Sequence, residues 1–505
     1  MSILGLDIGT TNCKGSVFRT DGQRGEELVL GTAEREYPLV HARSGWAELD
    51  SRKVISSVME VIRELAGKTA KDPIRAISVC SMGEAMTPVS ADRRILGNAI
   101  IHLDSRGREQ IDAFLARIPK EEFFRINPNI PGTNYSLPKL LWRKEKEPEL
   151  FASTWKFLLF DELLFYMLGL EPLSSYSLAN RTMLFDIRKE CWSERLLALA
   201  GMDPGMLGKP VPSGTLAGKL GPKMSADLGL EPGVMCVVGA HDQCCNALGI
   251  GAISAGKAVC GIGTVECITP VYDHIPESRF MLANGLNVEH HALPGLYVSF
   301  IYNQAGSLVR WFRNTFAKAD VPPPGTGIYA YLDEEMPKDP TQLLVLPYFD
   351  PVGTPHFMEN TSGLIMGLKV STSRGEILKA IMECETLYFL ESLRAIGKLG
   401  VDTSRFIATG GGSRSSAWLQ IKADVIGVPF ERSPIGEAGT LGAAMIAGVA
   451  TGLLPSYEDT IARFVSEGEV FEPDPVRHEF YMEKYEKYAK IYPRVSDLLE
   501  TASGT

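Results

Sequence analysis

Short apolar runs rich in β-branched residues alternate along this chain with longer stretches whose apolar positions recur at helical spacing. Ile3–Ile8 and Gly15–Phe18 predict two strands joined through Gly9-Thr10-Thr11, a hairpin at the start of the chain. From Ser51 to Leu65 the apolar residues Val54, Ile55, Val58, Val61, Ile62 and Leu65 form one face of a helix. Ile74–Ser78 reads as a strand leading into Ser81-Met82-Gly83-Glu84, and the apolar run Val234–Val238 leads into Gly239-Ala240-His241-Asp242-Gln243 and a helix-like Cys244–Leu248. Glu376–Leu399 predicts a long helix, Arg405–Ala408 a strand, Ser416–Ile426 a helix, and the Tyr-, Glu- and Lys-rich C-terminus a helix packed on the surface. Pro322–Gly325 and Lys338–Pro340 read as loops. Strands alternating with helices predict α/β sheets, whose ligands sit beyond the carboxyl ends of the strands.

With 505 residues the chain is long enough for two or three domains, taking roughly 100–200 residues for each. The Gly/Ala/Ser-rich stretch Gly249–Gly256 predicts a division into residues 1–250 and 251–505. A composition of 45% hydrophobic and 22% charged residues excludes disordered and fibrous chains. Lys and Arg number 51 against 61 Asp and Glu, a net charge of −10 with no basic run, which argues against nucleic-acid binding by phosphate neutralisation. Nine cysteines without a CxxC pair or a Cys/His ligand spacing predict reduced thiols and no structural zinc. Met1–Asp7 lacks a signal-peptide pattern, and no stretch approaches about 18 uninterrupted apolar residues. The expectation is a cytoplasmic protein with no membrane partner.

Two glycine motifs resemble nucleotide fingerprints and depart from them. Gly251 to Lys257 satisfies GxxxxGK, but Ala258 follows and a strand comes next, so it reads as a connecting loop. Gly410-Gly411-Gly412-Ser413-Arg414-Ser415 follows a strand and opens a helix, with Glu431 where a ribose-binding acid would belong, yet Ser415 replaces the third glycine. The first turn, Asp7-Ile8-Gly9-Thr10-Thr11-Asn12-Cys13-Lys14, carries better chemistry. Its N–H groups and hydroxyls suit phosphate oxygens, Lys14 adds charge, and Asp7 suits a Mg²⁺ held through water. An ordinary hairpin with an exposed lysine is the alternative. Ile8-Gly9-Thr10 recurs as Ile262-Gly263-Thr264, one copy in each half, which suits two related domains. Asp242 follows a strand, where α/β catalytic residues collect, and a helix N-cap is its alternative role.

Taken in order, Asp7-Ile-Gly-Thr-Thr, Lys139-Leu-Leu-Trp142, Gly239-Ala-His-Asp-Gln243, Gly263-Thr264, Ala305-Gly306-Ser-Leu-Val-Arg310-Trp311 and Gly410-Gly411-Gly412 resemble the FGGY carbohydrate kinases. The segment from Gly363 through Gly367 and Glu376 to Glu383 is similar to that family's C-terminal signature. The resemblance spans about residues 3–490. It implies an α/β fold of two ribonuclease H-like domains, of the actin/hexokinase/Hsp70 type, flanking a cleft. It further implies ATP and Mg²⁺, with Asp7, Gly9, Thr10, Thr11 and Lys14 at the phosphates and metal. Gly263 and Thr264 would hold the β- and γ-phosphates, Gly306 and Arg310 would line the nucleotide channel, and Gly411, Gly412 and Ser416 the adenosine end. Asp242 matches the family's general base.

Glu84 and Asp104, with Gly83, Asn134 and Gln243, are the acceptor contacts that the resemblance implies. Glu84 matches an acid that grips polyol hydroxyls in glycerol kinases; the arginine before that acid is here Gly83, and the pocket tyrosine is here Asn134. Glu84, Asp104 and Asp242 in one pocket would make it acidic and favour a neutral ketose or sugar alcohol over sugar acids. The partner expected is therefore a small sugar or polyol, and a homodimer is compatible with this reading. A non-catalytic ATPase of the same superfold and a nicotinamide-dependent oxidoreductase are the alternatives.

Overall fold

The computed structural model describes residues 1–21, 28–359 and 361–502. The chain forms two compact units. The first comprises Met1–Ile253, Val288–Val298 and Ile435–Ser466; the second comprises Ser254–Asn287, Ser299–Pro434 and Glu467–Thr505. The sequence reading divides the chain once, whereas here it returns twice to the first unit.

The first unit is built on β1 (Ser2–Ile8), β2 (Asn12–Arg19), β3 (Val29–Glu36), β4 (Ile74–Ser81) and β5 (Met235–His241). Their order in the sheet is β5-β4-β1-β2-β3, with Leu216–Lys219 on the edge beside β5. The predicted hairpin forms, β1 pairing antiparallel with β2 so that Asp7 faces Lys14 and Ile8 faces Cys13. β4 runs parallel to both β1 and β5, pairing Ser81 with Ile8 on one side and with His241 on the other. The carboxyl ends of β1, β4 and β5 therefore lie side by side, which brings Asp7, Gly83-Glu84 and Asp242 to one rim.

The predicted helical face becomes the helix Ser51–Lys68, started by Asp50, whose carboxylate accepts from the N–H groups of Arg52 and Lys53. Its buried stripe, Val54, Ile55, Val58, Val61, Ile62 and Leu65, packs on β2 and β3. Fully burying each such side chain stabilises by about 1.5–3 kcal/mol. The return segment supplies the helix Ala438–Ala450, rich in Ala and Gly. Thr440 places its carbonyl oxygen only 1.8 Å from where a Cβ on Gly5 would stand, so helix backbone meets strand backbone there.

The second unit repeats the plan. Its strands are β6 (Lys257–Ile262), β7 (Val265–Tyr272), β8 (Ile301–Gln304), β9 (Arg405–Thr409) and β10 (Phe430–Arg432). β6, β7 and β8 pair antiparallel in succession, while β6, β9 and β10 pair in parallel. β6 and β7 thus correspond to β1 and β2, and the two Ile-Gly-Thr copies occupy the same turn in each sheet. The helix Arg374–Gly397 begins two residues before the expected start because Ser373 and Glu376 form a capping box. Ser416–Ile426 is a helix with the expected bounds. The expected C-terminal helix is two, Pro475–Tyr488 and Tyr492–Ala502. Among the described residues no helix is long and apolar enough to cross a membrane.

Candidate active site

Asp242 is the first residue of the helix Asp242–Gly249, directly after β5. The N-cap position belongs to His241, which makes no side-chain cap, so the capping alternative is not what the local geometry uses. Oδ1 of Asp242 accepts from the backbone N–H of Gln243 at 2.6 Å, and the side chain stays 24% exposed. Burial of most of the carboxyl, reinforced by the charge of Asp7, pushes Asp242 up to about 7. Buried His241 is held well below the ordinary imidazole value, first by burial and then by the positive charge of Arg181.

Asp7 lies at the end of β1. Oδ1 of Asp7 is buried with no hydrogen-bond partner, and burial raises this carboxyl to about 6 despite a hydrogen bond from Cys80. Gly439, in the first turn of Ala438–Ala450, has room for only a hydrogen beside it, since a Cβ would stand 3.0 Å from Oδ2. Mg²⁺ is commonly bound by one or two carboxylates and retained water, and a buried carboxylate oxygen without a donor fits that ion. Lys14, half-buried, lies 3.8 Å from Glu34 and 3.6 Å from Glu437. In the turn itself the N–H of Gly9 closes the hairpin onto the Asn12 carbonyl, Thr10 Oγ1 reaches Met82 Sδ at 3.9 Å, and the Thr11 carbonyl accepts from Tyr37 N.

The residues expected at the acceptor divide. Glu84 is buried with its backbone at φ 66°, and Ser136 Oγ donates to its carbonyl at 2.7 Å. Its carboxylate is bound by Arg181, whose other Nη donates to Glu289 at 2.6 Å. The Arg181 guanidinium also lies 4.9 Å from the ring of Tyr135, beside Asn134, and against the bare face of Gly83. Asp104, in contrast, has no exposed side-chain surface. It accepts from Ala47 N at 2.6 Å, Arg106 N at 2.8 Å and the Arg106 guanidinium. Burial pushes its carboxyl up, and those donors more than offset this, leaving it below the ordinary value. The purely acidic pocket of the sequence reading is corrected accordingly. Asp104 is neutralised by Arg106, and Arg181, Tyr135 and Glu289 went unseen because they approach Glu84 only through the fold.

In the second unit a cavity of about 580 Å³ is lined by Gly263, Thr264, Gly306, Arg310, Gly411 and Gly412, six of the seven residues expected there. Its size is that of a small-molecule site. The turn and the following helix are locked together. Thr264 and Gly263 carbonyls accept from the N–H groups of Ala305, Gly306 and Ser307, and Arg310 donates to Thr264 Oγ1 at 2.9 Å. Ser416 instead accepts from Arg432 at 2.7 Å, while Ser415, Arg414 and Trp418 line the cavity with Tyr329 and Asp333. Burial raises the carboxyl of Asp333, which Ser415 hydrogen-bonds. Glu431, the acid of the dinucleotide alternative, is taken by Arg405 at 3.1 Å and by Gly468 N at 3.0 Å.

The models of the FGGY family of carbohydrate kinases, N-terminal and C-terminal domains, match residues 2–249 and 273–451. The chain is 29% identical to the xylulose kinase of Bacillus subtilis over 502 residues, which is 98% of this chain and 97% of that one. It is 26% identical over 512 residues to an autoinducer-2 kinase of Escherichia coli, covering 97% and 94% of the two chains. The crystal structure of xylulose kinase from Rhodospirillum rubrum superposes with a TM-score of 0.89 at 25% identity, over 99% of each chain. Fold and site together define a two-domain α/β phosphotransferase. The chain belongs to the FGGY family of carbohydrate kinases and transfers a phosphoryl group from ATP to a small sugar.

Proposed function

We propose that the acceptor is a neutral ketose, with a pentulose such as xylulose the first candidate, that Asp242 is the general base, and that Asp7 holds Mg²⁺. The observation that carries this reading is the Asp242 carboxyl at the end of β5, open at its tip and pushed up to about 7. A sugar hydroxyl is a poor nucleophile until its proton leaves. Asp242 takes that proton as the hydroxyl oxygen bonds to the γ-phosphorus, the bond to the bridging oxygen breaks, and ADP departs. Such a base contributes typically 10²–10⁴-fold. Asp7 and waters would hold the ion, which supplies charge neutralisation to the transferring phosphoryl group when bound.

The names of the relatives support a ketose, and a neutral acceptor is supported by Arg181 and Arg106, each engaged by two carboxylates, Glu84 with Glu289 and Asp104 with Glu48. A panel of ketoses, polyols and sugar acids with MgATP, followed by ADP release, tests this. Xylulose or another four- to six-carbon neutral ketose is expected to be turned over best, the range following from modest pocket selectivity. Preference for gluconate or glycerol over every such ketose would overturn it.

A further inference from the structure

Gly83-Glu84, Tyr135 and Glu289 come from three places in the chain and together form a seat for one side chain, Arg181. A Cβ on Gly83 would stand 2.9 Å from Arg181 Cγ and 3.2 Å from its Nε, so a bare backbone is needed for the arginine to lie there. The Tyr135 ring supports the guanidinium. The two terminal nitrogens reach Glu84 and Glu289, side chains that are 6% and 0% exposed. Glu84 itself keeps a left-handed backbone, an arrangement that costs free energy in a non-glycine residue and persists only when its surroundings hold it. The same arginine acts electrostatically on His241 and Asp242.

From this geometry we infer that Arg181 is the positioning residue that gives the acceptor site its selectivity among sugar hydroxyl configurations. This rests on the reading of Glu84 as the acceptor contact and Asp242 as the base. With Oε1 of Glu84 committed to Arg181, Oε2 is the oxygen Glu84 can offer to a sugar, and its position is fixed by the planar fork that spans two carboxylates. Lysine cannot reproduce that span, because an ammonium is a point charge without the fork. A Glu84 carboxylate free to rotate would still accept from hydroxyls, but it would distinguish epimers poorly.

The test uses the full chain with the best ketose of the panel and its C3 epimer. Arg181→Lys is expected to raise the acceptor KM by at least about tenfold and to reduce the preference between epimers by a similar factor, with the ATP KM within twofold and kcat much less affected, the signature of lost ground-state positioning. Arg181→Met removes a cation paired with the buried Glu289, so Arg181→Met/Glu289→Gln is made as well. The double variant is expected to regain thermal stability and to keep the raised KM and the lost preference. Acceptor KM and epimer preference within twofold of wild type in Arg181→Lys and in the double variant would overturn the inference, and so would recovery of both in the double variant. Asp242→Asn assayed beside them separates the two readings: near-wild-type turnover there removes the base and leaves the Arg181 measurements standing. A panel with no accepted sugar overturns both.

Discussion

His241 Nε2 lies 3.2 Å from Oδ1 of Asp242. Because His241 is kept neutral by burial and by Arg181, its imidazole stands beside the carboxylate without neutralising its charge. The same oxygen accepts from the N–H of Gln243 at 2.6 Å, which holds the carboxylate's orientation.

Asp242→Asn is expected to reduce kcat by at least about 10²-fold while leaving nucleotide affinity and melting temperature close to wild type. The side chain is nearly isosteric and keeps an oxygen for Gln243 N. Steady-state kinetics with nucleotide binding measured in parallel provides the check, and turnover within threefold of wild type would remove Asp242 from the chemistry.

The pH profile follows from the same group. A carboxyl raised to about 7 is protonated below that pH and unable to accept a proton, so kcat/KM should rise through about pH 7 and level off above it. For stability the sign is opposite. A carboxyl whose folded value is raised favours the folded state at low pH, and that contribution is lost as pH climbs from the ordinary carboxylate value through about 7. A rate that falls across pH 6–8 would contradict the assignment.

Asp7→Asn should raise the Mg²⁺ concentration needed for half-maximal activity by at least about tenfold, within the range typical for disturbed metal-site residues. Titration of activity with Mg²⁺ at saturating ATP reads this directly. An unchanged Mg²⁺ dependence would assign the buried Asp7 oxygen to some other partner.

Gly306→Ala places a methyl group 2.2 Å from the Gly263 carbonyl oxygen, and that oxygen is backbone. The turn and the helix Gly306–Phe316 must separate to admit it, an overpacking cost of typically 1–3 kcal/mol. The ATP KM should rise several-fold with the acceptor KM unchanged. Equal effects on both would show that the cavity is not dedicated to the nucleotide.

Local pattern made much of this protein legible from its residues. The hairpin of β1 and β2, the helix from Ser51 and the helix Ser416–Ile426 each follow from apolar spacing and caps within a few residues of one another. The candidate site was placeable where a motif is contiguous: Asp7 at the end of one strand, Asp242 directly after another, and Gly263-Thr264 lining a cavity. It was not readable where partners are distant: Arg181 meets Glu84 across 97 positions and Glu289 across 108. Asp104 shows the reverse case. Its type and place suggest a ligand contact, yet Arg106, two residues on, claims its carboxylate. Charge in a sequence does not say whether it is already paired.

The backbone contact between Gly5 and Thr440 also concerns how the protein is made. The helix that covers β1 leaves the ribosome some 430 residues after it, roughly 20–90 s at ordinary translation rates. Throughout that interval the first sheet lacks a helix of its own unit, and the nascent chain presents apolar strand surface that a chaperone can hold. A gene cut at residue 253 would therefore yield an unfinished domain rather than an independent half, and the first unit is completed late in synthesis although its strands precede those of the second.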